Sequence, residues 1–380
     1  MILLAIPNIG PLEGEYLQTC VDTNFVSTVG PFVTRFEKEV AELHGADHAV
    51  AVAAGTMGLH AACMVAGVKP GDLVIAPSFT FIASANSIAH SGASPWLIDI
   101  DPASWTMSPD ALEAALAEDA EQLGSDWIHK PSGRRIAAIM PVYTLGTLPD
   151  MDRIGAVARR YGLPVIADAA AAIGVTYKDG PIAPLADLTV FSFNGNKTIT
   201  TGGGGMVIGN DEALLKRARH ITTTARVSRD YEHDEIGWNY RMTNMSAAVG
   251  CAQLERLPGF LERKRAIRLR YDAELGDLPG VERFPSPDAA QSTYWFSGVV
   301  LTDQARKTVA GLCEALKGHG VEARPFWRPV HLQKPFADAP RADLKHSEAL
   351  WSRIVTLPCS TGLTEDEQTV VIEAVRAELG

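Results

Sequence analysis

Cysteine is scarce in this 380-residue chain: the 5 present (Cys20, Cys63, Cys251, Cys313 and Cys359) lie far apart and form no C-x-x-C pair. A set so few, odd and scattered excludes a disulfide framework and a cysteine-bound zinc, and leads us to expect the reducing cytoplasm. Basic charge is also short, with 34 Lys and Arg against 45 Asp and Glu and a net charge of −11. A field of that sign speaks against nucleic-acid binding. No apolar run reaches the length of a bilayer span. The opening Met1-Ile2-Leu3-Leu4-Ala5-Ile6 has no basic flank and stops at Pro7, so neither a membrane segment nor a signal peptide is expected. G-x-G-x-x-G and H-E-x-x-H are missing. The run Gly202–Gly205 follows a lysine instead of preceding one, which excludes a Walker loop.

What is present is an ordinary globular composition, 46% hydrophobic and 21% charged, at a length that favours two domains. Phe32, Val33, Phe36, Val40 and Leu43 recur at helical spacing over Pro31–His44, with Gly45 as a C-cap. Short apolar strands then alternate with helices. Strands are expected at Ala49–Ala54, Leu73–Ala76, Pro95–Ile100, Ile136–Val142, Pro164–Ala167, Leu188–Phe193 and Met206–Ile208, and helices near Met57–Ala66, Ile82–Ser91 and Met151–Tyr161. This is the texture of an α/β protein with a mostly parallel sheet covered on both faces. Past residue 250 the texture changes to a smaller α+β unit. There, Leu254–Leu275 reads as one long helix interrupted at Pro258, with Arg263, Lys264, Arg265, Arg268 and Arg270 on its solvated side. The expected division is 1–250 and 251–380.

Ligands of open α/β sheets bind at the carboxyl ends of the strands. The residues following those ends are Gly55-Thr56 at a helix start, Pro77-Ser78-Phe79-Thr80-Phe81, Asp168, and Asn194-Gly195-Asn196-Lys197. Gly55-Thr56 offers free N–H groups to an anion, although taken alone the pair reads better as a plain strand-to-helix turn with Thr56 as N-cap. Asp168 alone reads as a helix cap. Lys197, just past a buried strand and before four glycines, has the desolvated setting that a Schiff-base lysine needs. His233-Asp234-Glu235 reads as a solvated stretch, and no metal is expected.

The blocks Gly30-Pro31, Gly55-Thr56, Pro77–Phe81, Asp168-Ala169-Ala170, Phe191-Ser192-Phe193…Lys197, Gly202–Gly205 and Gly237–Met242 occur in order. Together they resemble the DegT/StrS nucleotide-sugar aminotransferases, which are fold-type-I pyridoxal-phosphate (PLP) enzymes. The resemblance runs from about residue 28 to the C-terminus. Thr200–Gly205, Thr222–Ala225 and His233–Gly237 are most similar to the branch that makes 4-amino-4,6-dideoxy sugars on UDP, of the bacillosamine and legionaminic-acid type. The resemblance implies a large PLP-binding α/β domain, a small C-terminal domain and a homodimer. Carried over residue by residue, Lys197 holds PLP as an imine and Asp168 pairs with its pyridine nitrogen. Phe81 stacks on the ring. Gly55, Thr56, Met57 and Ser192 hold the phosphate, and Asn239 reaches the phosphate of the neighbouring subunit. One position departs: the family's Gln or His three residues after the aspartate is Ala171 here.

The activity so implied is transfer of the amino group of L-glutamate to a 4-keto-6-deoxy nucleotide sugar, UDP-2-acetamido-2,6-dideoxy-4-ketohexose being the expected acceptor. Lys197 serves as general base and acid. Arg324-Pro325-Phe326-Trp327…His331 is the candidate sugar-nucleotide stretch, with Trp327 and His331 as contacts, although Phe326 and Trp327 read equally well as core. Arg226 is a further phosphate candidate. Two alternatives stay open: a PLP enzyme acting on another keto sugar or an aldehyde, and a non-catalytic sensor with the same fold.

Overall fold

The computed structural model describes residues 1–286 and 292–380. Its larger part holds nine strands: β1 (His48–Val52), β2 (Leu73–Pro77), β3 (Ser94–Ile98), β4 (Ala120–Leu123), β5 (Asp126–His129), β6 (Arg134–Ile139), β7 (Ile166–Asp168), β8 (Leu188–Ser192) and β9 (Gly205–Gly209). They pair in the orders β1-β9-β8-β7 and β3-β2-β6-β5-β4. Parallel bridges Ile139↔Val165 and Val142↔Asp168 carry the first group on to the end of β6. β2 is parallel to β3 and β6, and β7 to β8, while β9 runs against both β1 and β8. The mostly parallel sheet is therefore present, with β9 and β5 reversed. β2 and β9 are buried along their whole length, which is why they read as unbroken apolar runs.

Helices α1 (Pro11–Asp22), α2 (Pro31–His44), α3 (Gly55–Val65), α4 (Ile82–His90), α5 (Pro109–Asp119), α6 (Met151–Tyr161), α7 (Glu212–Thr222) and α8 (Asn244–Glu255) accompany this sheet. Val33, Phe36 and Val40 form the buried stripe of α2, and Gly45 ends it in the left-handed conformation at φ 66°. Side-chain caps start several others: Ser108 for α5, Asp150 for α6, Asp211 for α7 and Thr243 for α8.

The later part comprises α9 (Leu257–Leu275), α10 (Val309–Gly318), α11 (Lys345–Leu350) and α12 (Glu365–Leu379) around β10 (Val281–Glu282), β11 (Ser297–Leu301), β12 (Arg324–Pro325) and β13 (Ile354–Leu357). These strands are antiparallel, in the order β10-β11-β13-β12. The opening residues join this unit: Leu4 is in its apolar core, and the Leu4 carbonyl accepts a 2.9 Å bond from the Cys359 N–H. We propose the domain boundary at Arg256, between α8 and α9 and a few residues past the expected 250, with those opening residues crossing to the later unit.

Two expectations are corrected. The single helix from Leu254 is two helices: Arg256 ends α8 and starts α9. Pro258 falls in the first turn of α9, where its missing N–H has no intrahelical partner to lose. Nor are all the basic residues of α9 solvated, because Lys264 is 3% and Arg268 1% exposed. The Lys264 amine donates to the carbonyls of Trp295 and Cys359, each at 2.7 Å, and Arg268 donates to that of Phe296 at 3.3 Å. Their long stems let the charged heads cross the core to main-chain acceptors.

Candidate active site

The parallel strands end on one rim, and a cavity of about 400 Å³ opens there between the two parts of the chain. Gly55, Thr56, Phe81, Asp168, Ala171, Ser192, Lys197 and Trp327 all line it. Strand order brings most of them together, since they end or follow β1, β2, β7 and β8, whereas Trp327 is supplied by the later unit, just after β12.

The start of α3 forms one wall. Its N-cap is Ala54, which has no side-chain acceptor, and the first helical bond is Gly58 N–H to the Ala54 carbonyl at 3.0 Å. The N–H groups of Gly55, Thr56 and Met57 are thereby left without the usual cap, a setting suited to an anion. Gly55 is required here because a Cβ would come within 2.8 Å of the Ser192 Cβ. Gly205 is equally constrained: a Cβ would lie 2.8 Å from both Gly55 N and Phe191 O. The glycine run thus lets β9, the end of β8 and the α3 start approach closely. Within it, Gly202 has φ +81° and donates its N–H to Thr200 Oγ1 at 2.9 Å.

Asp168, 4% exposed, also lines the cavity. Its Oδ2 accepts from Ser84 Oγ at 2.6 Å and its Oδ1 from the Ala170 N–H at 3.1 Å. Burial raises its pKa, while the Ser84 and Ala170 bonds and the charge of Lys197 pull the other way. Burial pushes the Lys197 amine down to about 8, against the opposing pull of Asp168. Two groups that shift one another and line one cavity mark a functional site.

The aromatic wall consists of Phe81, Trp327 and Trp295, with ring centroids 5.9 Å apart from Phe81 to Trp327 and again from Trp327 to Trp295. Phe81 is 53% exposed, as suits a ring that waits for a flat ligand. Phe326, next to Trp327, is buried against Phe79 and Phe296. At Ala171 the cavity meets a methyl group, and the carbonyl of that residue accepts from Thr293 Oγ1 at 2.6 Å.

Three of the candidates lie away from this cavity. His331 is buried with Nδ1 2.7 Å from Ser78 Oγ and Nε2 3.2 Å from Glu348 Oε1. It ties the loop after β2 to the later unit and is not among the residues lining the cavity. Asn239 and Arg226 are exposed on the segment after α7, where Asn239 bridges Thr223 and Arg226 lies over Tyr231 at 5.4 Å. In the same segment Asp234 pairs with His220 at 2.7 Å, and Glu235 takes both nitrogens of Arg217 at 2.8 Å. Ser84 and Trp295 were missed in the sequence, where nothing distinguishes either from core.

The cavity fits PLP in each part: an uncapped helix start for the phosphate, a buried carboxylate, a desolvated lysine and an exposed aromatic face. Fold and cavity define a PLP-dependent aminotransferase of fold type I. The chain belongs to the DegT/DnrJ/EryC1/StrS aminotransferase family, whose profile matches residues 7–376. It is 39% identical to EpsN of Bacillus subtilis (strain 168), assigned as a pyridoxal phosphate-dependent aminotransferase, over 98% of this chain and 95% of that one. It is 38% identical to the GDP-perosamine synthase of Caulobacter vibrioides, over 98% and 97%. The crystal structure of DesI with its TDP-sugar product superposes with a TM-score of 0.88 at 29% identity, covering 99% of this chain and 92% of that one. The chain is thus a sugar aminotransferase. Among the described residues, no helix is long and apolar enough to cross a membrane.

Proposed function

We propose that the enzyme moves the amino group of L-glutamate to C4 of a nucleotide-linked 4-keto-6-deoxy sugar, with Lys197 and Asp168 as its catalytic pair. The observation that carries this reading is the shared cavity, in which the Lys197 amine, the Asp168 carboxylate and the uncapped start of α3 stand around one space. PLP supplies an electron sink for the pair left when a substrate C–H bond is broken.

The residues of the chain do the rest. The N–H groups of Gly55, Thr56 and Met57, with the Ser192 hydroxyl, bind the phosphate. Asp168, oriented by Ser84 and the Ala170 N–H, keeps a proton on the ring nitrogen. Phe81, exposed on the cavity wall, would lie against a face of the bound ring. The Lys197 Nζ would take the proton from the substrate carbon, the electron pair of that C–H bond passing to the bound PLP, and would give the proton back as the amino group is transferred. An amine with a pKa of about 8 exists in both forms near neutrality, as a group serving as base and then acid must. Trp327 and Arg226 are assigned to the sugar nucleotide. Asn239, exposed outside its own cavity, is assigned to the phosphate site of a second copy in a homodimer.

The expected acceptor is UDP-linked. The match to GDP-perosamine synthase favours a second reading, a GDP-linked acceptor. The test is a panel of UDP-, GDP- and dTDP-linked 4-keto sugars with L-glutamate, read by release of 2-oxoglutarate. Turnover confined to one nucleotide, and lost in Lys197→Ala, supports the proposal. Equal turnover with free ketoses or simple aldehydes overturns the nucleotide-sugar part.

A further inference from the structure

Trp295 lies 98 positions beyond Lys197 in the chain, yet the Lys197 Nζ stands 3.6 Å from the centroid of its ring. That is well inside the range of a cation–π contact. The ring is fixed from three directions. Its Nε1–H donates to the Asn196 carbonyl at 2.7 Å, its main-chain N–H donates to the Leu145 carbonyl at 3.1 Å, and its carbonyl accepts from the buried Lys264 amine at 2.7 Å. The Asn196 bond ties the indole to the residue next to the lysine that it faces. Among the described residues, the Lys197 amine makes no side-chain hydrogen bond or ion pair, and the indole face stands 3.6 Å from it.

We propose that Trp295 is a positioning residue for Lys197: its ring face is the resting place of the free ammonium, and so sets the pH at which that amine takes up and releases its proton. The inference rests on the catalytic role proposed for Lys197. A ring face attracts the charged amine and not the neutral one, so it opposes the burial that favours the neutral form. The other groups around the amine are known. Asp168 at the end of β7 favours the charged form. Arg324, which also lines the cavity and is paired with Glu322 at 2.5 Å, and Lys264 behind Trp295 favour the neutral form. The Tyr143 hydroxyl, on the same wall, is held neutral by burial. All of these remain when the ring alone is replaced.

The test uses the full-length chain freed of cofactor. It is labelled with trinitrobenzenesulfonate across a pH series, and the label at Lys197 is quantified by peptide mass spectrometry. Trp295→Leu and Trp295→Met should lower the labelling midpoint by roughly one pH unit, with about tenfold faster labelling on the acid side. Trp295→Phe, which restores a ring face without the Nε1–H, should recover most of the shift. A midpoint unchanged or raised in whichever of the Leu and Met variants folds overturns the inference, as does a Phe variant shifted as far as they are. Cofactor binding by the unmutated chain is measured separately. Its absence would remove the proposed function, whereas the labelling shift is read without cofactor.

Discussion

Ser84 donates a 2.6 Å hydrogen bond to Oδ2 of Asp168, joining the first half of α4 to the end of β7. The same hydroxyl lies 2.9 Å from Thr80 Oγ1, so the loop that presents Phe81 and the carboxylate share one small network. The bond favours ionised Asp168 against burial that favours the neutral acid. Ser84→Ala should therefore raise the Asp168 pKa further. The group then protonates at higher pH as pH falls, and the acid limb of activity should move upward. PLP affinity should weaken about tenfold, the value of one bond to a charged acceptor. Spectroscopic titration with PLP and a pH–rate profile check both.

The second prediction concerns stability. The amine of Lys197 has a pKa of about 8, below the usual 10.5. The unfolded chain therefore binds more protons between those values, and stability rises with pH through that window. Below pH 8 the cost of the buried charge is fully present. Lys197→Met should stabilise the cofactor-free protein at pH 7 by on the order of 2 kcal/mol, seen as a higher melting temperature. The gain should fade as pH approaches 10. Thermal melts of both proteins at several pH values measure this.

Close approach around the glycine run gives a third prediction. A methyl group at Gly205 would meet main-chain atoms of Gly55 and Phe191 rather than a movable side chain. Gly205→Ala should cost about 2–3 kcal/mol in denaturant unfolding, as overpacked core sites do. Gly202→Ala meets no atom within 4 Å, but its φ of +81° makes it a test of backbone strain alone. A smaller loss, near 1 kcal/mol, is expected there.

Phe81 offers a contrast. Half of it is exposed, so Phe81→Ala should leave the melting temperature of the cofactor-free chain almost unchanged while weakening PLP binding several-fold. A large loss of stability with unaltered affinity would make Phe81 a packing residue instead.

Much of the fold was legible because buried parallel strands and amphipathic helices announce themselves. α2 and α6 follow their expected ranges, and Gly45 caps α2 as its position suggests. The residues after the strands meet on one rim because the strands run in the same direction. Less legible were elements without apolar periodicity, such as α1 and the hairpin β4–β5, where β4 is largely exposed and β5 mostly half-buried. The buried ends of Lys264 and Arg268 could not be read from a basic run. Ser84 and Trp295 gain their meaning from partners 84 and 98 positions away, set by strand order and domain packing. His331 illustrates the converse: a histidine in a promising stretch became a joint to Ser78.

The most direct measurement is the absorbance spectrum of the purified protein with PLP, before and after L-glutamate, beside Lys197→Ala. The account predicts a visible-edge band of lysine-bound cofactor that glutamate bleaches with stoichiometric release of 2-oxoglutarate. It also predicts that Lys197→Ala lacks that band. No band in the wild-type protein with PLP added, or the same band in Lys197→Ala, would contradict it.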